Sequence, residues 1–397
     1  MACVRRRARI RVKIKDLRSF LILSLAGTIA IMPLLVLPAM VGVLVDESAM
    51  SESFAGISAS VNFLGGAAIA LVMAFYMHHI DLRLFTAIAF VTAALMDVVS
   101  AFSTANELVF ILARIAAGVG AGGAYTCIVA AFARYRDVDR GYGIFITLQF
   151  IVSGIGLYLL PVYATSLGTK GMFLMIAGLE VLALLLVRHL PGKAVREPNE
   201  PFKVSELGVL LAPATLFAVL GFGLFETANT AQFTYVERLG VAIDLVDHEI
   251  GTALLVASLA GIPGAFIIVL IGDRFGRIGP LALGITISVA GLLGLIYAQG
   301  FISYQIACIC LGFAWAFCLP FIQGMLALLD RNGTAIAAGA AASTVGGAAG
   351  PGIAAVIVGN GQYQNVFMTS IGLFVLCLAG FVVAGVKIRH RNARVAI

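Results

Sequence analysis

Four ionisable residues lie inside long apolar stretches of the sequence: Asp97, Arg114, Glu180 and Glu226. A charge in hydrocarbon is energetically expensive, so such a residue is retained where it pairs with another charge, meets water, or handles a ligand or proton. A carboxyl group in this setting can bind and release a proton, and a guanidinium can hold a carboxylate or an anionic ligand. These four side chains are therefore the first candidates for chemistry.

Arg114 has a distinctive sequence neighbourhood. At about 100° per residue, a helix through Arg114 places Gly118, Ala121 and Tyr125 on the same face, which gives a stripe with one charge and one aromatic ring. Two interpretations remain open. Arg114 either contacts a substrate, with a slight preference for an organic anion, or forms a structural ion pair with Asp97, which is predicted in the outer third of the adjacent helix.

Glu226 has polar and aromatic residues close to it along its predicted helix. Asn229 and Thr230 follow it at one-turn spacing, and Phe222 and Phe225 precede it. Because amide and hydroxyl groups can share protons and ligands with a carboxyl group, this segment predicts a polar site on one helix face. Asp97 and Glu180 are the other two carboxyl groups within apolar segments that could bind a proton.

Other polar residues give weaker signals. Gln149 and Ser153 share a face of one apolar segment, while Trp315 is the only tryptophan and Gln323 follows it by two turns. Trp315 either stacks on a substrate ring or packs within the membrane.

The composition identifies the medium around these residues. Hydrophobic residues make up 61% of the 397-residue chain and charged residues only 12%, whereas a soluble domain carries about 25% charged residues. A crossing needs roughly 20 apolar residues, so the length allows about twelve crossings and no soluble domain. No ATP-binding loop, zinc-protease motif or serine-nucleophile motif occurs, so we expect neither an enzyme nor a cofactor or metal.

The apolar segments fall into two sets of six, separated by a charged stretch. The predicted organisation is a basic N-terminus over 1–18, a helical bundle over 19–189, a linker over 190–206, a second bundle over 207–388 and a tail over 389–397. The predicted helices lie near 19–45, 53–77, 83–104, 107–133, 141–163, 171–188, 207–235, 249–271, 279–300, 302–329, 334–358 and 365–386.

The basic residues predict the orientation. If the N-terminus is cytoplasmic, cytoplasmic segments hold 23 of the 26 Lys and Arg residues, while Lys170 and Arg238 alone fall in outside loops. Positive charge accumulates on the cytoplasmic side of membrane proteins. We therefore expect both termini in the cytoplasm of a multi-pass protein in the plasma membrane, with the bacterial inner membrane as the expected location.

The two sets of helices are an internal repeat. Asp81 precedes the third helix and Asp273 the ninth, 192 residues later, while Pro161 and Pro351 are 190 residues apart. Duplicated halves with a binding site at their interface are typical of secondary transporters. The predicted fold is an all-α membrane protein with twelve transmembrane helices in two six-helix, pseudo-symmetric bundles.

The chain resembles the major facilitator superfamily over nearly its whole length. The segment Gly272-Asp273-Arg274-Phe275-Gly276-Arg277 is similar to the family loop Gly-x-x-x-Asp-Arg-x-Gly-Arg, with Ile268 in place of the first Gly. The first-half copy is degraded to His78-His79-Ile80-Asp81-Leu82-Arg83. Helix four resembles the family segment Arg-x-x-x-Gly-x-Gly-Ala from Arg114 onward.

This resemblance implies roles for several residues. Helices one, four, seven and ten line the transport cavity in the family, which implies that Arg114 lies beside it and that Glu226 carries a coupling proton. The implied conformational latch comprises Asp273, Arg274, Gly276 and Arg277, with Asp81 and Arg83 as the degraded counterpart. Helix five lacks the Gly-x-x-x-Gly-Pro-x-x-Gly-Gly pattern of the drug antiporters.

The predicted function is secondary active transport of a small organic molecule by alternating access, with a proton as the coupling ion. Uptake of an organic anion and export of amphipathic compounds both remain open, and a non-transporting sensor or scaffold is the alternative of a different class. Because sensors of this kind would carry long cytoplasmic additions, the short linker and termini favour a transporter. We expect a monomer in the lipid bilayer with no nucleic-acid partner.

Overall fold

The computed structural model describes residues 17–76, 80–132, 138–190, 208–271, 274–329, 334–359 and 361–395. Within these ranges the chain is helical. The elements are α1 (Leu17–Ala30), α2 (Met32–Leu35), α3 (Leu37–Ser48), α4 (Glu52–Tyr76), α5 (Leu82–Phe102), α6 (Glu107–Phe132), α7 (Val138–Val187), α8 (Gly208–Leu211), α9 (Pro213–Ala242), α10 (Asp247–Ile271), α11 (Ile278–Ile296), α12 (Phe301–Leu329), α13 (Thr334–Val358) and α14 (Tyr363–Val395).

These elements supply the twelve predicted crossings. Nine helices among the described residues are long and apolar enough to span a bilayer. Of these, α7 holds two predicted crossings, because Gly168 has a left-handed φ of 58° and interrupts the helix at the predicted outer loop. The consecutive helices α1, α2 and α3 form the first crossing. Helix α9 forms the seventh crossing, although it contains three charged residues.

Local chemistry explains where several helices begin. The Asp81 carboxylate accepts hydrogen bonds from the backbone N–H groups of Arg83 and Leu84 at 3.0 and 3.1 Å, so it caps the start of α5. Asn106 does the same for α6 through the N–H of Val109 at 3.1 Å. Pro213 occupies the first turn of α9, where a missing N–H costs nothing.

The chain folds into two compact units that interleave in sequence. Unit 1 comprises residues 1–35, 65–153 and 167–197, and unit 2 comprises 36–64, 154–166 and 198–397. Unit 2 thus combines the C-terminal half with α3, the start of α4 and a short piece of α7.

The core of unit 1 contains a stack of aromatic rings. The Phe132 ring lies 6.2 Å from Phe20 and 5.2 Å from Phe145 between centroids. Helices α5 and α6 approach closely at Gly120, which lies against the backbone of Ala89 and Ala93. This close contact places the charged residues of α5 and α6 side by side.

The core of unit 2 surrounds α9. Nearly every residue of α9 from Phe225 to Gly240 is buried, and the buried side chains include Thr227, Asn229, Thr230, Gln232 and Thr234. Helix α13 packs on α9 through Gly346 and Gly350, where a side chain would collide with Gly223, Thr227 or Thr230. The glycine-rich sequence of α13 therefore provides close backbone contact between two membrane helices.

Candidate functional site

The charged residues of unit 1 form one buried cluster. Arg114 is fully buried, forms an ion pair with Asp97 and donates a hydrogen bond from Nε to Ser100 Oγ at 3.0 Å. Its guanidinium also lies 4.7 Å from the centroid of the Phe173 ring. The guanidinium is therefore neutralised by Asp97 within its own bundle. This is the structural ion pair that the sequence leaves open as one of two interpretations of Arg114. Contact between Arg114 and a substrate remains a prediction.

Glu180 completes this cluster, which we call the Arg114 cluster and define as Asp97, Ser100, Arg114, Phe173 and Glu180. Glu180 is 1% exposed and interacts electrostatically with both Asp97 and Arg114. The cluster therefore gathers one guanidinium and two carboxyl groups, and the pairing of opposite charges lowers the cost of burying them inside a bilayer.

Tyr125 belongs to a different part of unit 1. Although it shares a helix face with Arg114, the two are eleven residues apart on α6, or about 16 Å along the axis. Tyr125 packs its ring 5.9 Å from that of Phe145 and hydrogen-bonds with Gln149. Ser153 donates a hydrogen bond to the Leu35 carbonyl oxygen at 2.7 Å. The structure therefore brings Tyr125 and Gln149 together, but not with Arg114.

In unit 2 the structure joins Glu226 of α9 to Trp315 of α12. The Trp315 indole N–H donates to Glu226 Oε2 at 3.4 Å, and Glu226 is 8% exposed. None of the residues that the structure describes forms an ion pair with Glu226. We call these two residues the Glu226 site; it is a carboxyl group held beside an aromatic ring without a balancing cation among the described residues.

The neighbours of Glu226 on α9 bond to the helix backbone. Asn229 donates from Nδ2 to the Phe225 carbonyl oxygen at 2.8 Å, and Thr230 donates to the Glu226 carbonyl oxygen at 2.9 Å. Gln323, two turns beyond Trp315, is exposed. A direct role for Asn229, Thr230 or Gln323 in ligand binding remains a prediction.

The structure describes the second half of the segment between α10 and α11 that resembles the family loop. Asp273 lies outside the described residues, whereas Arg274 lies in an exposed turn and Gly276 adopts a φ of 64° that favours glycine. Arg277 places its guanidinium against Gly324 of α12, where a side chain would collide with it.

In the first half, Arg83 donates from Nε and Nη2 to the Leu190 carbonyl oxygen at 3.1 and 2.8 Å. Asp81 caps α5, as described above. Asp81 and Arg83 thus stabilise helix ends within unit 1, and the latch role remains a prediction for both loops.

A third polar cluster lies at the end of the bundle that is predicted to face outside, and the sequence patterns do not reveal it. It comprises Asp46, Glu52, Tyr235, Glu237, Arg238 and Tyr363. The sequence places Arg238 in an outside loop, but it lies in the last turns of α9 and is only 4% exposed. The adjacent pair Glu237-Arg238 at the end of an apolar segment is the one sequence signal for this cluster.

The helices of the described residues, nine of them long and apolar enough to cross a bilayer, are the organisation of a multi-pass membrane protein. Residues 19–330 match the profile of the Major Facilitator Superfamily, and the chain belongs to this family. It transports small molecules and is not an enzyme.

Comparison with solved structures agrees with the family. The chain is similar to the crystal structure of a point mutant of the nucleoside transporter NupG, with a TM-score of 0.72 and 14% sequence identity. The match covers 92% of this chain and 99% of NupG. At this identity the likeness shows the fold alone. No curated protein matches the sequence.

Proposed function

We propose that the protein is a proton-coupled secondary transporter in which Glu226 binds the coupling proton. The observation that supports this proposal is the environment of Glu226: a buried carboxyl group that accepts a hydrogen bond from the neutral indole of Trp315. Since a buried carboxylate without a cation is costly, binding of a proton or of a cationic ligand relieves that cost. Either event would favour a different arrangement of α9.

The substrate proposed here is a small amphipathic molecule with an aromatic or otherwise flat apolar part. Trp315 contributes an indole ring and the neighbouring carboxyl group a hydrogen-bond acceptor, and this pair of groups suits such a molecule. An unbalanced Arg114 would favour an organic anion, but Asp97 balances its charge. Import and export are both compatible with this site.

The orientation is proposed on the charge asymmetry of the loops alone. Both termini would face the cytoplasm of a bacterial inner membrane, and the Arg274–Arg277 turn would lie on the same side. The Asp81 loop would face the cytoplasm as well, as a latch role for both loops requires.

The test of the proposal compares two carboxylate neutralisations in proteoliposomes. A thermal-shift screen of the purified protein, with nucleosides and amphipathic amines on the panel, first supplies a transported ligand. We expect Glu226→Gln to abolish the dependence of transport on the pH gradient while ligand binding persists. Glu107→Gln, which neutralises an exposed carboxylate at the start of α6, should leave the gradient dependence unchanged.

Full gradient dependence in Glu226→Gln would place the coupling proton elsewhere and contradict the proposal. Loss of gradient dependence in both variants would show that the change is not specific to Glu226, which contradicts it equally.

A further inference from the structure

The segments α3 and α4 contact α9, α13 and α14 through a compact set of polar interactions, all of them within unit 2. Arg238 of α9 binds Asp46 of α3 in a bidentate manner, with Nη1 and Nη2 donating to the two carboxylate oxygens at 2.7 and 2.6 Å. Asp46 belongs to the first crossing and Arg238 to the seventh. This ion pair therefore joins the two halves of the duplicated fold.

Hydrogen bonds extend the contact along α4. Tyr235 donates from its hydroxyl to the Glu52 carbonyl oxygen at 2.7 Å, and Tyr363 at the start of α14 donates to the Glu52 carboxylate. Two turns further along α4, Ser60 donates to the Ala348 carbonyl oxygen of α13 at 2.7 Å. The contact thus runs continuously from Asp46 through Glu52 to Ser60, and we call this line of interactions the seam.

The backbones along this seam are close. A Cβ on Gly42 would lie 2.6 Å from a Glu237 carboxylate oxygen, and a Cβ on Gly352 would lie 2.7 Å from Ser60 Oγ. Since real side chains do not approach so closely, these glycines allow α3 and α4 to pack closely against α9 and α13.

The charges are arranged so that the contact can open. Arg238 also donates to its neighbour Glu237, from Nε at 2.7 Å and from Nη2 at 3.0 Å. If α3 moves away, Arg238 keeps Glu237 as its partner, while the half-exposed Asp46 (52% exposed) rehydrates. Separation therefore leaves no buried charge of this trio without a partner, which is the costly outcome when ordinary buried ion pairs break.

We propose that Asp46, Glu237 and Arg238 are positioning residues that hold the outer end of the transport path closed and release it in each cycle. The proposal uses only the alternating-access part of the proposed function, in which the halves must separate at each end in turn. It is independent of whether Glu226 carries the proton.

The test measures how fast a thiol reagent reaches the buried seam. Ser60 is 6% exposed and lies further along the seam than the Asp46–Arg238 pair, so Ser60→Cys in the purified full-length protein serves as the reporter for a charged methanethiosulfonate reagent. Labelling of the protein without Ser60→Cys is subtracted, because native cysteines are present. We expect Asp46→Asn and Arg238→Gln to increase the labelling rate about tenfold, since loss of the ion pair shifts the population away from the closed state.

Two controls make the result specific. Asp46→Glu keeps the carboxylate and should restore slow labelling. Asp244→Asn makes the same chemical change as Asp46→Asn at an exposed residue just beyond α9 and should have no effect. Gel filtration and circular dichroism verify that each variant is folded.

Asp46→Asn is the decisive variant, because Asp46 is half exposed and its neutralisation leaves Arg238 paired with Glu237. Unchanged labelling in folded Asp46→Asn would overturn the proposal. Equally fast labelling in Asp244→Asn would also overturn it, because the effect would then follow general loss of negative charge.

Discussion

The Arg114 cluster and the Glu226 site both place ionisable groups inside the membrane, but these groups have different partners. In the Arg114 cluster the guanidinium pairs with the Asp97 carboxylate, and the Glu180 carboxyl group lies beside them within one bundle. In the Glu226 site a carboxyl group has an indole N–H and no ion-pair partner among the described residues. A balanced cluster stabilises helix packing, whereas an unbalanced carboxyl group is able to respond to a proton or ligand.

The largest expected effect comes from making one chemical change in both regions. Asp97→Asn should lower the stability of the protein by about 3–5 kcal/mol, because Arg114 is left as a buried cation without its carboxylate. Glu226→Gln should change stability by less than about 1 kcal/mol, because the amide oxygen still accepts from the indole. The melting temperatures of the two purified variants in one detergent measure the difference.

A double variant separates charge from packing in the Arg114 cluster. Asp97→Leu with Arg114→Met removes both charges and keeps most of the volume, so its melting temperature should lie well above that of Asp97→Asn. Equal melting temperatures for Asp97→Asn and Glu226→Gln would contradict the distinction between the two regions.

A smaller effect is expected at the contact between α9 and α13, which positions Glu226 by close packing. In Gly350→Ala the new Cβ would lie 2.7 Å from the Thr227 carbonyl oxygen and 2.8 Å from the Ala231 nitrogen. Because neither backbone atom can move freely, we expect a loss of about 1–3 kcal/mol. The lowered melting temperature of the variant tests this expectation.

Gly347→Ala is the matched control on the same helix. Its nearest neighbour would be Thr230 Cγ2 at 3.9 Å, an ordinary van der Waals contact. We expect no loss of stability there. If both alanine variants were equally stable, close contact at Gly350 would not be what holds α9 in place.

Much of this architecture can be predicted from sequence because the signals are local. The apolar segments give the twelve crossings, and the rarity of charge within them identifies Asp97, Arg114, Glu180 and Glu226. The helix boundaries are less exact: α9 continues to Ala242, beyond the predicted end at 235, which is why the prediction assigns Arg238 to a loop. Hydropathy underestimates this helix because its last turns are polar but buried.

The pairing of charges could not be predicted in the same way. Whether Arg114 meets Asp97 or a substrate depends on the distance between two helices, and hydropathy carries no information on that distance. The Asp46–Arg238 pair spans 192 residues, and no local periodicity connects its members. The glycines at positions 42 and 352 allow α3 and α4 to pack closely on α9 and α13, but in the sequence they resemble the other glycines of membrane helices.

The smallest expected effect is spectroscopic and concerns the Glu226 site directly. Trp315 is the only tryptophan in the chain, so intrinsic fluorescence reports the surroundings of one indole. Because a nearby charge alters indole emission, the spectrum should change as Glu226 gains or loses its proton. We expect a pH-dependent shift of the emission maximum by a few nanometres in the wild type and none in Glu226→Gln.

Asp97→Asn, measured at a temperature where it is folded, should retain the shift, since Asp97 belongs to the Arg114 cluster. A shift that persists in Glu226→Gln would mean that another group titrates beside Trp315, and the difference between the two regions would then lie outside the Glu226 carboxyl group.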